Sequence, residues 1–292
     1  MAWKVPLFKI YSDSSDVDAV RAVLERGAYW TMGPEVEELE RLVAREVGVR
    51  YAVSFSNGTC ALHAAMLAHG IGKGDEVIVP SFTFISTANA PLFVGAKPVF
   101  ADIEEETYGL DPVDLRRKIT KKTKAIIPVH YGGGPCRIKE IREIADENGL
   151  MVVEDCAESL GAKLGKKSTG AFGDSAIFSF CQNKVVSTGE GGCVTTDSKQ
   201  LFEKLLLIRS HGRLDTKDYF STPEYMDYVQ LGYNFRMSSI TAAVGVSQMK
   251  KIDNIIEMRR DRAGRYGRKL RKLDFVERVP EVVKSPYHVF QL

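Results

Sequence analysis

The sequence lacks a long apolar run, a dominant charge of one sign and paired cysteines, and each absence excludes a class of protein. No window approaches the roughly 18 apolar residues that a membrane-spanning helix needs. The 40 basic and 38 acidic residues nearly cancel, at a net charge of +2, so no basic field indicates a nucleic-acid-binding surface. We therefore expect neither a membrane nor a nucleic acid among its partners.

Cysteine and histidine are few and scattered. The five cysteines form no C-x-x-C pair, and the five histidines show no spacing typical of metal ligands. This pattern argues against disulfide bonds and a metal site and favours a reducing compartment. The first ten residues, MAWKVPLFKI, carry charges among their apolar residues, unlike a signal peptide. We expect a cytoplasmic protein without a bound metal.

Short apolar runs alternate with longer amphipathic ones, which is typical of an α/β fold. The runs that read as buried strands cover residues 51–55, 76–80, 98–101, 124–130, 150–154 and 175–180. The segments that read as helices between them cover residues 58–69, 82–92, 112–119 and 137–148. Strands that alternate with helices predict a large domain with a mostly parallel sheet that helices cover on both sides.

The segments near both ends of the chain do not follow this alternation of strands and helices. Residues 13–26 and 35–47 read as helices on either side of an aromatic and glycine-rich loop at 27–34, and 238–250 and 252–273 read as charged helices. We predict a large domain with an N-terminal arm over residues 1–245 and the start of a small C-terminal domain over 246–292. Residues 286–292 read as a strand with nothing after it, so we expect this small domain to be truncated.

Three stretches at predicted strand ends carry polar groups suited to chemistry. Ser56, Asn57, Gly58 and Thr59 join a strand to a helix. A glycine, a hydroxyl and a helix N-terminus together suit a bound phosphate. The same residues are also common helix caps, and from this stretch alone the capping interpretation is favoured.

Asp155 and Lys184 follow two of the predicted strands. In an open α/β sheet, ligands bind beyond the carboxyl ends of the strands. A carboxylate such as Asp155 could pair there with a protonated ring nitrogen, or it could cap a turn. Lys184 is a lone lysine among apolar and small residues. It is either a surface charge or, if desolvated, a reactive amine.

Five motifs decide between these alternatives, because together they resemble one family. They are V-x-x-S-N-G-T-x-A-L, G-D-E-V-I-V-P-S-F-T-F, V-E-D-C-A-E-S-L-G-A, G-D-S-A-I-F-S-F-x-x-N-K-x-x-x-T-G-E-G-G and G-Y-N-F-R-M. Their order and spacing from about residue 33 to residue 237 resemble the pyridoxal-phosphate-dependent nucleotide-sugar aminotransferases of the DegT/StrS type. The resemblance implies the aspartate-aminotransferase-like fold, called fold type I, with pyridoxal phosphate as the cofactor.

The resemblance also implies a role for individual residues. Lys184 would be the catalytic residue and would hold the cofactor as a Schiff base. The other implied cofactor contacts are Asp155 at the ring nitrogen, Phe84 stacked on the ring, Glu158 near the ring hydroxyl and the sugar, Ser179, Gly58 and Thr59 at the phosphate, and Asn234 at the phosphate of a neighbouring subunit. A homodimer with a shared active site follows. Candidate substrate contacts are Trp30, Thr31, Glu158 and His211, although Trp30 is as well explained as a core or interface aromatic.

The implied reaction moves an amino group from a donor, with L-glutamate expected, to a keto carbon of a nucleotide-linked deoxy sugar. Residues 187–192 and 158–162 resemble members that act at C4 of a 4-keto-6-deoxyhexose, including perosamine synthases. Two alternatives remain open at this point. One is a regulator or sensor that binds pyridoxal phosphate without turnover. The other is dehydration or deoxygenation, which is disfavoured because such members lose the lysine.

Overall fold

We analysed a computed structural model of the chain, which describes residues 8–214, 227–270 and 273. The helices of this part are α1 (Ser14–Arg26), α2 (Pro34–Val47), α3 (Gly58–Ala68), α4 (Ile85–Phe93), α5 (Pro112–Lys118), α6 (Ile138–Asn148), α7 (Lys199–Arg209), α8 (Ser239–Met249) and α9 (Ile252–Leu270). The strands are β1 (Tyr51–Phe55), β2 (Glu76–Pro80), β3 (Lys97–Ala101), β4 (Thr123–Ile126), β5 (Met151–Asp155), β6 (Lys163–Leu164), β7 (Lys167–Ser168), β8 (Ser175–Ser179) and β9 (Gly192–Thr196).

Seven of the strands form one mostly parallel sheet in the order β1-β9-β8-β5-β4-β2-β3, and β6 and β7 form a separate hairpin. Only β9 runs against its neighbours in the large sheet, because it pairs antiparallel with both β1 and β8. The carboxyl ends of β1, β8, β5, β4, β2 and β3 therefore lie at one edge. Apolar clusters on the sheet include residues of α2, α3, α6 and α9. The α/β fold predicted from the sequence is confirmed.

The predicted strand at 124–130 is longer than the strand in the structure. β4 ends at Ile126, and Pro128 follows two residues later. Proline lacks the backbone N–H that a central strand needs. The chain nevertheless stays beside β5, because Asp155 N–H donates to the Pro128 carbonyl and His130 N–H donates to the Asp155 carbonyl. The prediction was therefore right about the position of the segment and wrong about its regular pairing.

Four elements have no counterpart in the prediction: the strands β6, β7 and β9 and the helix α7. β9 (GCVTT) is short and follows a glycine-rich stretch, so its pattern did not stand out as a strand. Helix α4 begins at Ile85, three residues later than predicted, because Phe84 has extended backbone angles as the N-cap.

The expected start of the C-terminal domain stays a prediction. Residue 245, its proposed boundary, lies inside helix α8, and the predicted strand at 286–292 lies outside the described residues. The N-terminal helix α1 is tied to the end of α8, since Lys251 Nζ lies 2.9 Å from Asp13 Oδ1 and 2.8 Å from Asp16 Oδ2. Among the helices of the described part, none combines the length and the apolar character needed to cross a membrane.

Candidate active site

Three strand ends at one edge of the sheet carry most of the residues that the sequence singled out. Gly58 and Thr59 follow β1, Asp155 ends β5, and Ser179 ends β8 with Lys184 five residues later. Since β1, β5 and β8 are parallel, these ends meet at the same edge. The sheet order places β9 between β1 and β8, with Gly192 opposite both Phe55 and Ser179.

The chain around Gly58 forms a narrow cradle at the start of helix α3. A Cβ atom added at Gly58 would lie 3.1 Å from Ser179 Cβ, and one added at Gly192 would lie 2.5 Å from the Asn57 carbonyl oxygen. Gly192 is thus required for close approach of the backbone segments, and a side chain at Gly58 would fit only if Ser179 shifted. The Asn57 side chain caps α3 by accepting the Cys60 N–H at 2.8 Å, so capping is confirmed and takes place beside the cradle.

The cradle has the features of an anion site. The first N–H groups of a helix have no partner within the helix, and they carry its positive dipole end. The Thr59 hydroxyl lies 2.8 Å from the hydroxyl of Ser86, and the Ser179 hydroxyl accepts the Cys181 N–H at 3.3 Å. Hydroxyls and backbone N–H groups without an acidic side chain among them suit a phosphate group.

Asp155 is a buried carboxylate with defined partners. Its side chain accepts the Thr87 hydroxyl at 2.8 Å and the Ala157 N–H at 3.1 Å. Burial is the largest influence and raises the pKa of Asp155 above its usual value, while these hydrogen bonds and the Lys184 ammonium oppose the rise. A cation at this carboxylate would relieve the cost of burial, as a protonated ring nitrogen does.

Lys184 faces Glu158 across the site. Lys184 Nζ lies 3.3 Å from Glu158 Oε1, and both side chains are mostly buried, at 15% and 21% exposed. The other oxygen of Glu158 accepts the Gly132 N–H at 2.8 Å. The sequence neighbours of Lys184 at 181–189 carry no charge, whereas Glu158 approaches its amine from the loop after β5. This contact fixes both the amine and the carboxylate.

Directly behind Asp155, Glu154 organises a closed polar network. Glu154 and His130 are fully buried, and His130 Nε2 lies 2.8 Å from Glu154 Oε2. Glu154 also accepts the backbone N–H groups of Gly170, Phe172 and Gly173 at 2.6–2.9 Å. His130 Nδ1 accepts the Cys136 N–H, so Nε2 carries the proton that is donated to Glu154. His130 thus has a structural role, because both of its ring nitrogens are bonded within this network.

Replacing Glu154 with glutamine is expected to destabilise the protein by about 3 kcal/mol or more, because the amide offers fewer acceptor positions to four converging donors. Urea unfolding of the purified variant measures this loss. Glu147→Gln is the matched control, since Glu147 pairs with Arg116 at an exposed site and should change stability by less than about 1 kcal/mol. Equal stability of Glu154→Gln and the unaltered protein would contradict the assigned role.

The remaining predicted site residues lie on other segments, and Phe84, Asn234, Trp30 and His211 are exposed. Phe84 is 74% exposed at the N-cap of α4. Asn234 is exposed and forms an isolated bridge with Ser210, while the adjacent Phe235 carbonyl accepts the Ser56 N–H at 2.8 Å. Trp30 is half exposed and Thr31 bridges Ser238, next to helix α8.

His211 is exposed with a backbone φ of 61°, and its N–H donates to the Tyr233 carbonyl. The roles of His211, Trp30 and Thr31 toward a substrate stay predictions. Part of the neighbouring segment 213–228 lies outside the described residues.

Sequence reasoning missed Thr87, Ala157 and Gly132, which hold Asp155 and Glu158 in place. Thr87 lies 68 positions before Asp155, so neither periodicity nor motif spacing could connect them. The glycine at 132 had a signal, since its tripeptide GGG follows a predicted strand. That signal indicates a turn and does not identify its hydrogen-bond partner.

Comparisons with known sequences show the family to which the chain belongs. The sequence profile of the DegT/DnrJ/EryC1/StrS aminotransferase family matches residues 11–292. The chain is 37% identical over 286 residues to GDP-perosamine synthase of Escherichia coli O157:H7, covering 98% of this chain and 76% of that protein.

Solved structures give the same result. The structure of PseC from Helicobacter pylori, an aminotransferase involved in the biosynthesis of pseudoaminic acid, superposes with a TM-score of 0.90 at 29% identity, covering 98% of this chain and 76% of that one. The protein Spr1654 of Streptococcus pneumoniae in its PLP form superposes with a TM-score of 0.90 at 26% identity, covering 99% and 77%.

The fold, the lysine and aspartate at the strand ends and these similarities define a pyridoxal-phosphate-dependent aminotransferase that acts in amino-sugar biosynthesis. More specifically, the chain belongs to the DegT/DnrJ/EryC1/StrS aminotransferase family. The enzyme class, the cofactor and the transfer of an amino group to a nucleotide sugar, all predicted from the five motifs, are confirmed at this level.

Proposed function

We propose that this enzyme transfers an amino group from L-glutamate to C4 of a nucleotide-linked 4-keto-6-deoxy sugar, in the manner of a perosamine synthase. One observation carries the proposal: the Lys184 amine, the Asp155 carboxylate and the cradle of Gly58 and Ser179 lie at one edge of the sheet. The relatives support the sugar class, because a GDP-perosamine synthase is similar over 98% of the chain and perosamine is a 4-amino-4,6-dideoxy sugar.

The residues at this edge fit pyridoxal phosphate. The cradle offers hydroxyls and helix N–H groups for the phosphate, and Asp155 offers a buried negative charge for the ring nitrogen. When bound, pyridoxal phosphate supplies the electron sink that allows a Cα–H bond of the donor to break. Phe84, at the rim of the same edge, would cover one face of the ring, and Thr59 would join Ser179 at the phosphate.

Lys184 Nζ is the atom that would hold the cofactor covalently and later carry a proton. A free lysine is almost entirely protonated at neutral pH, since its pKa is about 10.4. An acceptor for its proton is therefore needed. Glu158, 3.3 Å from Nζ, can accept that proton while the Gly132 N–H keeps its other oxygen in place. The neutral amine can then take a proton from the donor's Cα.

The decisive experiment mixes purified protein, pyridoxal phosphate, L-glutamate and GDP-4-keto-6-deoxymannose, and measures 2-oxoglutarate and the amino sugar. Equal amounts of both products are expected. A panel with 3-keto nucleotide sugars and with glutamine or alanine as donor tests the position of amination and the donor. Intact cofactor binding without 2-oxoglutarate would favour the alternative of a regulator or sensor that binds pyridoxal phosphate without turnover.

We also propose that two protomers share each site, with Asn234 of one protomer reaching the cofactor phosphate bound by the other. The large exposed apolar side chains of the α4 region support an interface, because Phe84, Ile85, Leu92 and Phe93 are 49–74% exposed in the single chain. Asn234, exposed on the segment that pairs with Ser210, is available to such a partner.

Asn234→Ala is expected to weaken cofactor retention about tenfold or more, the effect of losing a hydrogen bond to a charged group, while the dimer persists in sedimentation. Equilibrium dialysis against pyridoxal phosphate measures the change. Mixing Asn234→Ala and Lys184→Ala protomers adds a geometric test. Each mixed dimer then contains one intact site, so activity should return to about a quarter of the wild-type level after random reassociation. A monomer with full cofactor affinity would contradict the shared site.

A further inference from the structure

The backbone of Lys184 is held at both of its polar atoms. Its N–H donates to the Cys181 carbonyl at 2.9 Å within a tight turn. Its carbonyl accepts Nη2 of Arg259 at 2.7 Å, and the same nitrogen lies 3.4 Å from the Asn183 carbonyl. Arg259 lies 75 positions later in the sequence, on helix α9. A side chain from a distant helix therefore fixes the peptide unit that carries the reactive lysine.

Helix α9 packs against both loops of the site. Ile252, Ile255 and Ile256 of α9 belong to the same buried cluster as Val185 and Val186, which directly follow the lysine. The cluster also includes Cys156 and Leu160, on the loop after β5 that carries Glu158. At Gly161 the approach of α9 is so close that a Cβ atom would collide with the Ile256 side chain, and the glycine has a φ of 84°.

The contact of Arg259 with the turn is charged and partly desolvated. Its side chain is half buried, and burial together with the nearby Arg262 lowers the pKa of its guanidinium. Successive carbonyl groups of a turn present a negative potential, as the end of a helix does, so they suit a buried cation. Hydrogen bonds to a charged group are also stronger than neutral ones. Arg259 thus joins α9 to the turn at the residue whose side chain reaches the site.

We propose that Arg259 is a positioning residue for amino transfer, which fixes the backbone of Lys184 so that its amine meets Glu158 and the cofactor. This inference rests on the proposed role of Lys184. The lysine side chain is long, and a small rotation of its peptide unit displaces Nζ by a large fraction of an ångström or more. Displacements of about 1 Å at a reacting atom cost roughly 100-fold in rate.

The test compares the full chain loaded with pyridoxal phosphate in the wild type and three variants: Arg259→Met, Arg259→Lys and Arg265→Met. Arg265 is the matched control, because it is exposed on the same helix and pairs with Asp261 within that helix. The single-turnover rate with saturating L-glutamate, and the pH at which the cofactor–lysine linkage changes its absorbance, are measured for each. Amide hydrogen exchange of segment 181–188 is measured without added cofactor.

For Arg259→Met we expect a rate about 10- to 100-fold lower, a displaced absorbance midpoint and faster exchange of segment 181–188. Arg259→Lys, which can still donate to the carbonyl, should recover part of the rate, and Arg265→Met should match the wild type. An unchanged rate and midpoint at saturating cofactor would overturn the proposal, even if stability falls, because Arg259 would then only brace the fold.

Failure of the proposed role of Lys184, on which the inference rests, gives a different result. In that case borohydride reduction of the wild type would not attach the cofactor to Lys184 at all. The exchange measurement would still decide whether Arg259 orders segment 181–188. Unchanged exchange in Arg259→Met would overturn the inference independently of the cofactor.

Discussion

Lys184→Ala is expected to abolish the yellow colour of the cofactor-loaded protein and to lower turnover by at least about 10³-fold, because in the proposed function its side chain is both the covalent attachment and the proton carrier. An ion pair with Glu158 at 3.3 Å holds its amine. Hydrogen bonds at the backbone N–H and carbonyl of Lys184 hold its peptide units. Absorbance spectroscopy and borohydride trapping followed by peptide mapping measure the loss of the linkage.

Lys199→Ala provides the matched control for this change. Lys199 lies at the start of α7, its side chain is 73% exposed, and it pairs with Glu203 at the surface. Colour, trapping and turnover should all be unchanged in this variant. If a coloured, borohydride-sensitive linkage persists in Lys184→Ala at wild-type occupancy, the attachment site is another residue and the assignment fails.

The parts of the site that could be predicted from the sequence are those that one contiguous motif encodes. Asp155 follows a buried apolar run and ends β5, and Lys184 follows β8 in the same way. A parallel sheet brings such strand ends to one edge, so the pattern of short apolar runs was sufficient to predict that these residues are near one another. The cradle at Gly58 could be predicted for the same reason, since β1 is parallel to β8.

The parts that could not be predicted depend on contacts between distant segments. Thr87, Gly132 and Arg259 each hold a residue of the site through one hydrogen bond. No periodicity marks them, because a single hydrogen bond leaves no repeating pattern in a sequence. The antiparallel strand β9 was missed for a related reason: its place between β1 and β8 is set by the pairing of all three strands, and five residues alone do not reveal it.

The contact of Glu158 with Lys184 also joins distant segments, and it changes the chemistry expected of the lysine. The sequence around Lys184 leaves two alternatives open, a surface charge and a desolvated, reactive amine. In the structure a carboxylate is hydrogen-bonded to that amine, and the Gly132 N–H orients it. An ion pair of this kind holds the lysine extended toward the site while charged, and it provides an acceptor when the proton has to leave. Glu158 thus adds pre-positioning and a proton acceptor to the partial burial of Lys184 as an explanation for a reactive amine.

Asp155→Asn is expected to lower turnover about 10²- to 10³-fold, which corresponds to a decrease of two to three units in the pKa of the ring nitrogen that it would face. The amide can keep the hydrogen bonds of the carboxylate. Its oxygen can accept the Ala157 N–H, and its nitrogen can donate to the Thr87 hydroxyl, which in turn can donate to Thr83 Oγ1, 2.8 Å away. The change therefore removes the charge with little change in shape.

Although Asp155→Asn should lower turnover, it should not lower the stability of the cofactor-free protein at neutral pH. Burial raises the pKa of Asp155, so the folded chain binds this proton more tightly than the unfolded chain. The stability that this proton contributes is fully present at acid pH and is lost as the pH rises through the folded-state pKa of Asp155. At neutral pH the raised pKa of Asp155 therefore costs stability, and asparagine avoids that cost. Cofactor-free Asp155→Asn should be at least as stable as the wild type at pH 7, with a smaller advantage near pH 4.

Urea unfolding at both pH values, together with single-turnover kinetics of the loaded protein, separates the two effects. If Asp155→Asn is slow but at least as stable as the wild type, Asp155 is assigned to the ring nitrogen. The wild type would then keep a buried charge that lowers stability because its function needs it. A variant that is slow only because it unfolds at neutral pH would assign the carboxylate to the structure. Full activity in Asp155→Asn would remove the residue from the site.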